Sequence, residues 1–178
     1  MKMMNRRGFT LIEVIVVAGI IAILAGILVP LIFKEIDESR ITRASADIKS
    51  IMNAMIVLKK DTGQWPVYDG SCNATVTLVT GQGVAPLDLA AMGYDTDIPS
   101  SYDDHLSRNV SACYNNWKGP YLALVGQDPW GNQYMTNADA FPVAGSPAWI
   151  ISAGPNGRME TPSTNETLLG DDIGMRIK

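Results

Sequence analysis

The sequence predicts an α+β protein in which one long N-terminal helix packs on a small antiparallel β-sheet. Three observations predict it: an apolar run near the N-terminus, a helical stripe of apolar residues directly after that run, and short strand-like segments joined by Gly, Pro and Asn turns in the last third of the chain. With 178 residues and 47% hydrophobic composition the chain can bury one core, and its length requires no second domain.

The apolar run extends over residues 9–33, and its only ionisable side chain is Glu13. As a helix it is long enough to cross a hydrocarbon layer of about 30 Å. It is too long for the apolar part of a secretory signal peptide, which spans roughly 7–15 residues. Basic residues precede it, so the N-terminus is expected in the cytoplasm and the body beyond Lys34 outside; they are Lys2, Arg6 and Arg7.

A second helical segment is predicted over residues 34–62, as the amphipathic continuation of the first. Its apolar residues recur at spacings of three and four, which is typical of a helix face packed on a core. They are Ile41, Ala44, Ile48, Ile51, Met55 and Leu58. Gly63 can supply a left-handed cap and Pro66 prevents continuation, so the helix is expected to end near Asp61.

Residues 63–178 are predicted to form an irregular loop region followed by the sheet. Glycines and prolines divide residues 67–116 into short pieces, of which only "ATVTLVT" alternates like a strand. Further strands are predicted around "YLALV", "NQYMT" and "AWIIS". Cys72 and Cys113 suit either two free thiols in a reducing compartment or one disulfide in an oxidising one, and the predicted extracytoplasmic location favours the disulfide.

Glu13 requires an explanation because a carboxylate at the centre of a membrane helix costs ~2.5–3.5 kcal/mol. One interpretation places it near the helix start, where the macrodipole favours an anion and water is close. The other requires a cation at the same depth, and no side chain of residues 9–33 supplies one. A free amino terminus would supply it if the chain were cut just before Phe9.

The residues "RRGFTLIEV" resemble the class III signal of type IV pilins and type II secretion pseudopilins. The resemblance implies that a prepilin peptidase removes residues 1–8 by cleaving after Gly8, and that Phe9 is then N-methylated. It also implies that Glu13 pairs with the terminal amine of a neighbouring subunit during assembly. A subunit out of register would leave two buried charges unpaired, which is strongly unfavourable.

Small residues recur every four positions along the span, at Ala18, Ala22 and Gly26. This spacing either lets membrane helices approach closely or reflects the general abundance of small residues in such helices. Pro30 cannot donate to the helix ladder. The resemblance implies that helix is lost on assembly between Gly26 and Pro30.

Five further motifs, "DTGQWP", "WKGPYL", "DPWGNQY", "SAGPNG" and "GDDIG", occur in an order similar to that of the major, G-type pseudopilins of type II secretion. The resemblance implies a type IV pilin-like fold and a homopolymeric filament. This filament grows from the bacterial inner membrane into the periplasm and drives export of folded proteins across the outer membrane. Expected partners are the prepilin peptidase, the minor pseudopilins and the inner-membrane assembly platform.

The same resemblance implies one calcium ion near the C-terminus. Carried over residue by residue, its ligands are Asn156, Asp171 and Asp172, with backbone carbonyls completing the six to eight oxygens that calcium prefers. Asn156 stands where the family often has aspartate. The alternative is a solvated acidic turn.

Two other functions compete with the secretion pseudopilus. A major type IV pilin for adhesion or motility shares the N-terminal signal, although the "DPWGNQY" and "GDDIG" motifs favour secretion. A signal-anchored enzyme would have to use His105, the only histidine, which is expected to be a surface residue beside two aspartates. The net charge of −4 offers no broad basic surface for nucleic acid.

Overall fold

The computed structural model describes residues 9–178, and Gly8 lies outside that range. The chain divides into two compact units, of which one ends at Ser39 and the other covers Arg40–Lys178. Helix α1 spans Leu11–Thr62 and contains a stretch long and apolar enough to cross a membrane. Every large hydrophobic side chain of residues 9–33 is exposed in the single chain.

In the second unit, α1 buries one face against the rest of that unit. Its buried residues follow the predicted three- and four-residue spacing, although Ile41 is 42% exposed. They are Ala44, Ile48, Ile51, Ala54, Met55 and Leu58. The helix ends one residue after the predicted position, and Gly63 has φ +77° with its N–H donating to the Lys59 carbonyl at 2.9 Å. This left-handed cap confirms the predicted stop.

Five short strands form one sheet in the order β2-β1-β3-β4-β5. The strands are β1 (Leu78–Thr80), β2 (Pro99–Ser101), β3 (Met135–Asn137), β4 (Trp149–Ser152) and β5 (Ile173–Arg176). The pairs β1–β3, β3–β4 and β4–β5 are antiparallel, whereas β1 and β2 are parallel. The α+β pilin-like arrangement is therefore confirmed, but the sheet is mixed rather than antiparallel.

The parallel pair is possible because residues 81–98 form a crossover longer than the dozen residues such a connection needs. The predicted strand at "YLALV" is wrong. Its backbone bonds to the π-helical turn Asp103–Ser107 instead, since Tyr121 N–H donates to the Leu106 carbonyl at 2.7 Å and Ser107 Oγ donates to the Leu122 carbonyl at 2.6 Å. The sequence did not predict β2 or β5 as strands.

Strands β1, β3 and β4 are buried on both faces of the sheet, to which their successive residues point in turn. Val79 and Ile150 belong to the cluster that contains the buried face of α1. Leu78, Met135 and Ile151 belong to a second cluster with Tyr94 and Met159, which come from the loops. The loop region therefore supplies the second cover of the sheet.

Cys72 and Cys113 form a disulfide across a sequence separation of 41 residues. It joins the loop after α1 to the loop that follows the π-helical turn. Beside it, Ser111 Oγ donates to the Gly70 carbonyl at 2.7 Å. The two loops are thus held together both covalently and by a hydrogen bond.

Candidate functional site

Glu13 lies in the first turn of α1, where it forms a capping box with Thr10. Glu13 Oε2 accepts hydrogen bonds from the Thr10 N–H and hydroxyl, both at 2.9 Å. The Glu13 N–H in turn donates to the Thr10 hydroxyl at 3.4 Å. In the single chain the carboxylate therefore satisfies free donors at the helix start, as the helix-start interpretation expects.

The rest of the predicted assembly face is open in the single chain. Gly26 has no atom within 4 Å of the position that a Cβ would occupy. Pro30 lies inside the continuous helix. The small-residue positions at Ala18 and Ala22 are likewise exposed. This surface is available to another helix.

Residues 154–172, called here the acidic loop, connect the end of β4 to β5. Asp172 is 7% exposed, and its Oδ2 accepts from the backbone N–H groups of Glu160 at 3.0 Å and Thr161 at 2.6 Å. Asp171 Oδ2 accepts from the backbone N–H of Asn156 at 3.2 Å. The three predicted ligand positions therefore lie together although they are up to 16 residues apart in the sequence.

The second oxygen of each aspartate is buried without a hydrogen-bond partner. These atoms are Asp171 Oδ1 and Asp172 Oδ1. Burial raises the pKa of both carboxyl groups, because the charged form loses hydration. Buried carboxylate oxygens with no protein donor are the chemistry that a hard divalent cation satisfies.

Glu160 is an additional acidic neighbour that the sequence did not assign to the site. Its Oε2 accepts from the Asp171 N–H at 2.9 Å, which lowers the pKa of Glu160. Its proximity adds to the effect of burial in raising the pKa of Asp171. Two carboxylates held this close repel each other unless a proton or a cation lies between them.

One predicted ligand atom already accepts a hydrogen bond and keeps its second lone pair. The side-chain oxygen of Asn156 already accepts from the Arg158 N–H at 2.7 Å. Within residues 9–178, no three His, Cys, Asp or Glu side chains are arranged to hold a metal by themselves. A calcium ion here would be bound by the two aspartates together with amide and backbone oxygens. Such a ligand set suits calcium, although it contains only two carboxylates.

Other contacts fix the ends of the acidic loop. Asp128 is 2% exposed and its Oδ2 accepts from Ser152 Oγ at 2.6 Å, while Ser152 Oγ also accepts from the Gly154 N–H at 3.1 Å. A Cβ on Gly154 would collide with the Asp171 carbonyl oxygen. The turn at Gly154 thus brings the start and end of the loop into contact, which its turn-forming residues alone did not reveal.

His105 is fully buried, so its prediction as a surface residue is wrong. Its Nδ1 lies 2.7 Å from the Tyr114 hydroxyl and its Nε2 lies 2.9 Å from Ser100 Oγ. Burial lowers the pKa of His105 to about 4, so the ring is neutral near pH 7. The adjacent Asp104 faces Arg108, with 2.8 Å between Oδ1 and the guanidinium.

Two parts of the chain match known protein families. Residues 3–29 match the prokaryotic N-terminal methylation motif, and residues 96–170 match the family described as type II secretion system, protein G. Similar proteins are each named type II secretion system core protein G. That of Pseudomonas aeruginosa is 30% identical, with 96% of this chain and 98% of the relative covered.

The protein of that name from Escherichia coli K12 is 30% identical, with 88% of this chain and 87% of the relative covered. The Aeromonas hydrophila protein is 31% identical, with coverages of 76% and 75%. No solved structure matches the chain.

Proposed function

Because the chain belongs to the family of the type II secretion system core protein G, we propose that it polymerises into the periplasmic pseudopilus and that filament growth drives export of folded proteins. The observation that carries this proposal is the wholly exposed apolar surface of residues 9–33. A bilayer covers that surface before assembly, and neighbouring helices cover it in a filament. Minor pseudopilins and the assembly platform are the further partners that this role requires.

Maturation is the first step of the proposed assembly. The match to the N-terminal methylation motif supports processing by a prepilin peptidase. The finer proposal is cleavage between Gly8 and Phe9, followed by methylation of the new Phe9 amine. An intact mass of membrane-extracted protein that still contained Met1 would contradict it.

Glu13 is proposed to set the register of the filament. In the single chain its Oε2 accepts hydrogen bonds from Thr10, which stabilise the carboxylate in the membrane before assembly. In the filament the terminal amine of a neighbour supplies the opposite charge. A subunit displaced by one turn, ~5.4 Å, would leave that amine buried without its partner.

Secretion by a strain that lacks this protein tests the proposed function. The wild-type chain should restore export and yield filaments on overproduction, whereas Glu13→Leu should insert and be processed but give neither. Glu35→Ala is the matched control, because it removes an exposed carboxylate from the same helix and should retain both activities. Normal export with Glu13→Leu would contradict the register role, and export without this protein would contradict the function.

The rival functions have less support. The relatives carry the secretion name rather than that of an adhesion or motility pilin. The family is a structural one, and we propose that the chain has no catalytic site. His105 is enclosed by Tyr114 and Ser100, which leaves its ring nitrogens bonded to neighbouring hydroxyl groups. An enzymatic activity of the purified chain that His105→Gln abolished, while secretion persisted, would contradict the absence of a catalytic site.

Calcium binding by the acidic loop is also a proposal. Asp171 and Asp172 would supply their buried Oδ1 oxygens, and Asn156 and backbone carbonyls would supply neutral ligands. When bound, the ion would neutralise the mutual repulsion of the loop carboxylates. Asp128 and Ser152 hold the neighbouring turn, so part of the frame exists before binding.

Thermal unfolding of the full chain in detergent tests the calcium site. Calcium at about 100 times its Kd should add ~2.7 kcal/mol to the free energy of unfolding relative to chelator. Asp172→Asn should abolish that difference, whereas Glu166→Gln should retain it, since Glu166 is an exposed carboxylate of the same loop that faces Arg176. Magnesium should substitute poorly because it requires a tighter octahedron. Equal melting temperatures of the wild type in calcium and chelator would contradict the proposal.

A further inference from the structure

A cavity of about 520 Å³, called here the aromatic pocket, opens beside the C-terminal end of α1. It is lined by aromatic, apolar and charged side chains, which include Lys59, Trp65, Val67, Asp139, Phe141 and Pro142. The Trp65 and Phe141 rings are stacked, with 4.6 Å between their centres. The Lys178 ammonium fixes this wall by donating to the Phe141 carbonyl at 2.8 Å. A preformed pocket with aromatic walls suits the anchoring side chain of a protein partner.

Lys59 and Asp139 are the charged side chains of the aromatic pocket among the described residues, and they differ in their partners. Lys59 Nζ donates to the Gly63 carbonyl at 2.5 Å and lies 5.6 Å from the centre of the Trp65 ring. Asp139 Oδ1, in contrast, has no hydrogen-bond partner in residues 9–178. Burial and the nearby charge of Asp95 both raise the pKa of Asp139. The pocket is therefore better matched to a cation than to an anion.

An exposed apolar side chain, that of Leu124, lies beside the part of α1 that begins the second unit. Leu124 is 54% exposed and borders a cavity of about 170 Å³ together with Arg43. The loop that carries it is fixed, because Ser107 Oγ donates to the Leu122 carbonyl at 2.6 Å and lies 2.7 Å from the Ala123 carbonyl oxygen. Leu124 and Arg43, called here the knob, present apolar surface and a cation side by side.

Arg43 is only weakly paired within the single chain. Its Nε lies 3.8 Å from Asp47 Oδ2, which is beyond hydrogen-bond distance, and its side chain is 68% exposed. Exposed ion pairs of this kind contribute little to stability. Asp47 Oδ2 also accepts a hydrogen bond from the Tyr134 hydroxyl at 2.9 Å. The Arg43 guanidinium is therefore available to a carboxylate of a partner.

The knob and the aromatic pocket lie on opposite flanks of α1 and at opposite ends of its part in the second unit. Arg43 and Lys59 are 16 residues apart in this helix. That separation corresponds to ~24 Å along the helix axis and ~160° around it. A contact between two such different surfaces of identical chains is heterologous, and repeating it with an axial rise builds an open filament.

We propose that the knob of one copy occupies the aromatic pocket of a second copy in the filament. The inference rests on the homopolymer proposed above. Leu124 would pack against the Phe141 side of the pocket, which removes its exposed apolar surface from water. Arg43 would face Asp139, and this charge complementarity would fix the orientation of the two copies. A second copy is the occupant because the chain itself carries the apolar side chain and the cation that the pocket matches.

Cysteine cross-linking of assembled filaments tests this contact. Leu124→Cys lies on the knob and Pro142→Cys on the exposed rim of the aromatic pocket, while the native Cys72 and Cys113 are bonded to each other. On oxidation the double variant should give covalent dimers and longer multiples of the chain, and neither single variant should give them. Leu87→Cys with Pro142→Cys is the matched control, because Leu87 is 59% exposed but belongs to neither surface.

Filaments of the double variant that gave no covalent multiples would overturn the proposal. A product whose mass was not a multiple of the chain would also overturn it, because a different protein would then occupy the pocket.

Filament yield gives a second measurement. Leu124→Asp should lower filament yield and export ~10-fold or more, as the loss of an interface anchor does. Its melting temperature should stay close to that of the wild type because the side chain is exposed, and Leu87→Asp should assemble normally. Normal filaments from Leu124→Asp would overturn the proposal.

A double-mutant comparison tests the charge pair. Arg43→Gln and Asp139→Asn should each lower filament yield. Combined, they should lower it no further than the stronger single variant, because both remove the same ion pair. Losses that multiplied in the double variant would overturn the pairing of Arg43 with Asp139.

A wild-type chain that formed no filaments and restored no export would overturn both the proposed function and this contact. Filaments and export without the cross-link would overturn the contact alone. The two failures are therefore distinguishable.

Discussion

At the scale of single residues, His105 shows how burial changes the role expected from a sequence neighbourhood. Two adjacent aspartates predicted an exposed histidine, yet Asp104 turns outward to Arg108 and the imidazole turns inward. The difference arises because residues 103–107 form a π-helical turn, whose inward face the local sequence does not reveal. A neutral imidazole that bonds two hydroxyls is the result.

The burial of His105 predicts a specific acid sensitivity. Its folded pKa of about 4 lies below the ordinary value of 6.5, so the unfolded chain binds the proton more readily. The contribution of His105 to the free energy of unfolding is therefore fully present above pH 6.5 and is lost as the pH falls towards 4. The difference between its folded and unfolded pKa corresponds to ~3 kcal/mol of free energy of unfolding.

Denaturant unfolding of the wild type and His105→Gln, in chelator from pH 7 to pH 4, measures this contribution. Asp171 and Asp172 have raised pKa values and change stability in the opposite direction, but they act equally in both chains. The stability gap between wild type and variant should therefore shrink by ~3 kcal/mol on acidification. A gap that did not change with pH would contradict the buried, neutral histidine.

At the scale of elements, the helix and most of the antiparallel core could be predicted, because their signals are local. The spacing of apolar residues predicted the buried face of α1, and Gly63 predicted where the helix ends. Alternation located β1, and short segments between turn residues located β3 and β4, each to within a few residues. β2 has only three residues and starts at Pro99, so it offers no alternation to detect.

The acidic loop was only partly predictable for a related reason. The resemblance alone names its aspartates as ligands, and in the structure the Asn156 N–H donates to Asp171 Oδ2. Met159 and Thr161 of the loop are buried, and residues 84–94 supply backbone hydrogen-bond partners to it. Pairing between segments about 70 residues apart leaves no local trace in the sequence.

The Cys72–Cys113 disulfide is an element-scale feature with its own expected effect. Closing a loop of 41 residues limits the unfolded chain and should contribute ~3–4 kcal/mol to the free energy of unfolding. The Cys72→Ser, Cys113→Ser double variant should lose that amount in denaturant unfolding, and reductant should not destabilise it further. Two alkylatable thiols in native protein purified without reductant would contradict the pairing.

At the scale of the whole molecule, two units have contrasting surfaces. From residue 9 to Ser39 the apolar side chains are nearly all exposed, whereas Arg40–Lys178 encloses a two-sided core. An inner-membrane-anchored pseudopilin needs both kinds of surface, since the first is covered by lipid or neighbouring helices and the second contacts water. The order of motifs along the chain predicted this family, and the similarity of the relatives over most of the chain confirms it.

The structure of the assembled filament, determined by electron cryo-microscopy, tests the proposed assembly most directly. We expect a homopolymer of this chain that begins at methylated Phe9, with the terminal nitrogen of one subunit within about 4 Å of the Glu13 carboxylate of a neighbour. A filament in which Glu13 contacted only its own Thr10, or whose subunits retained residues 1–8, would contradict it.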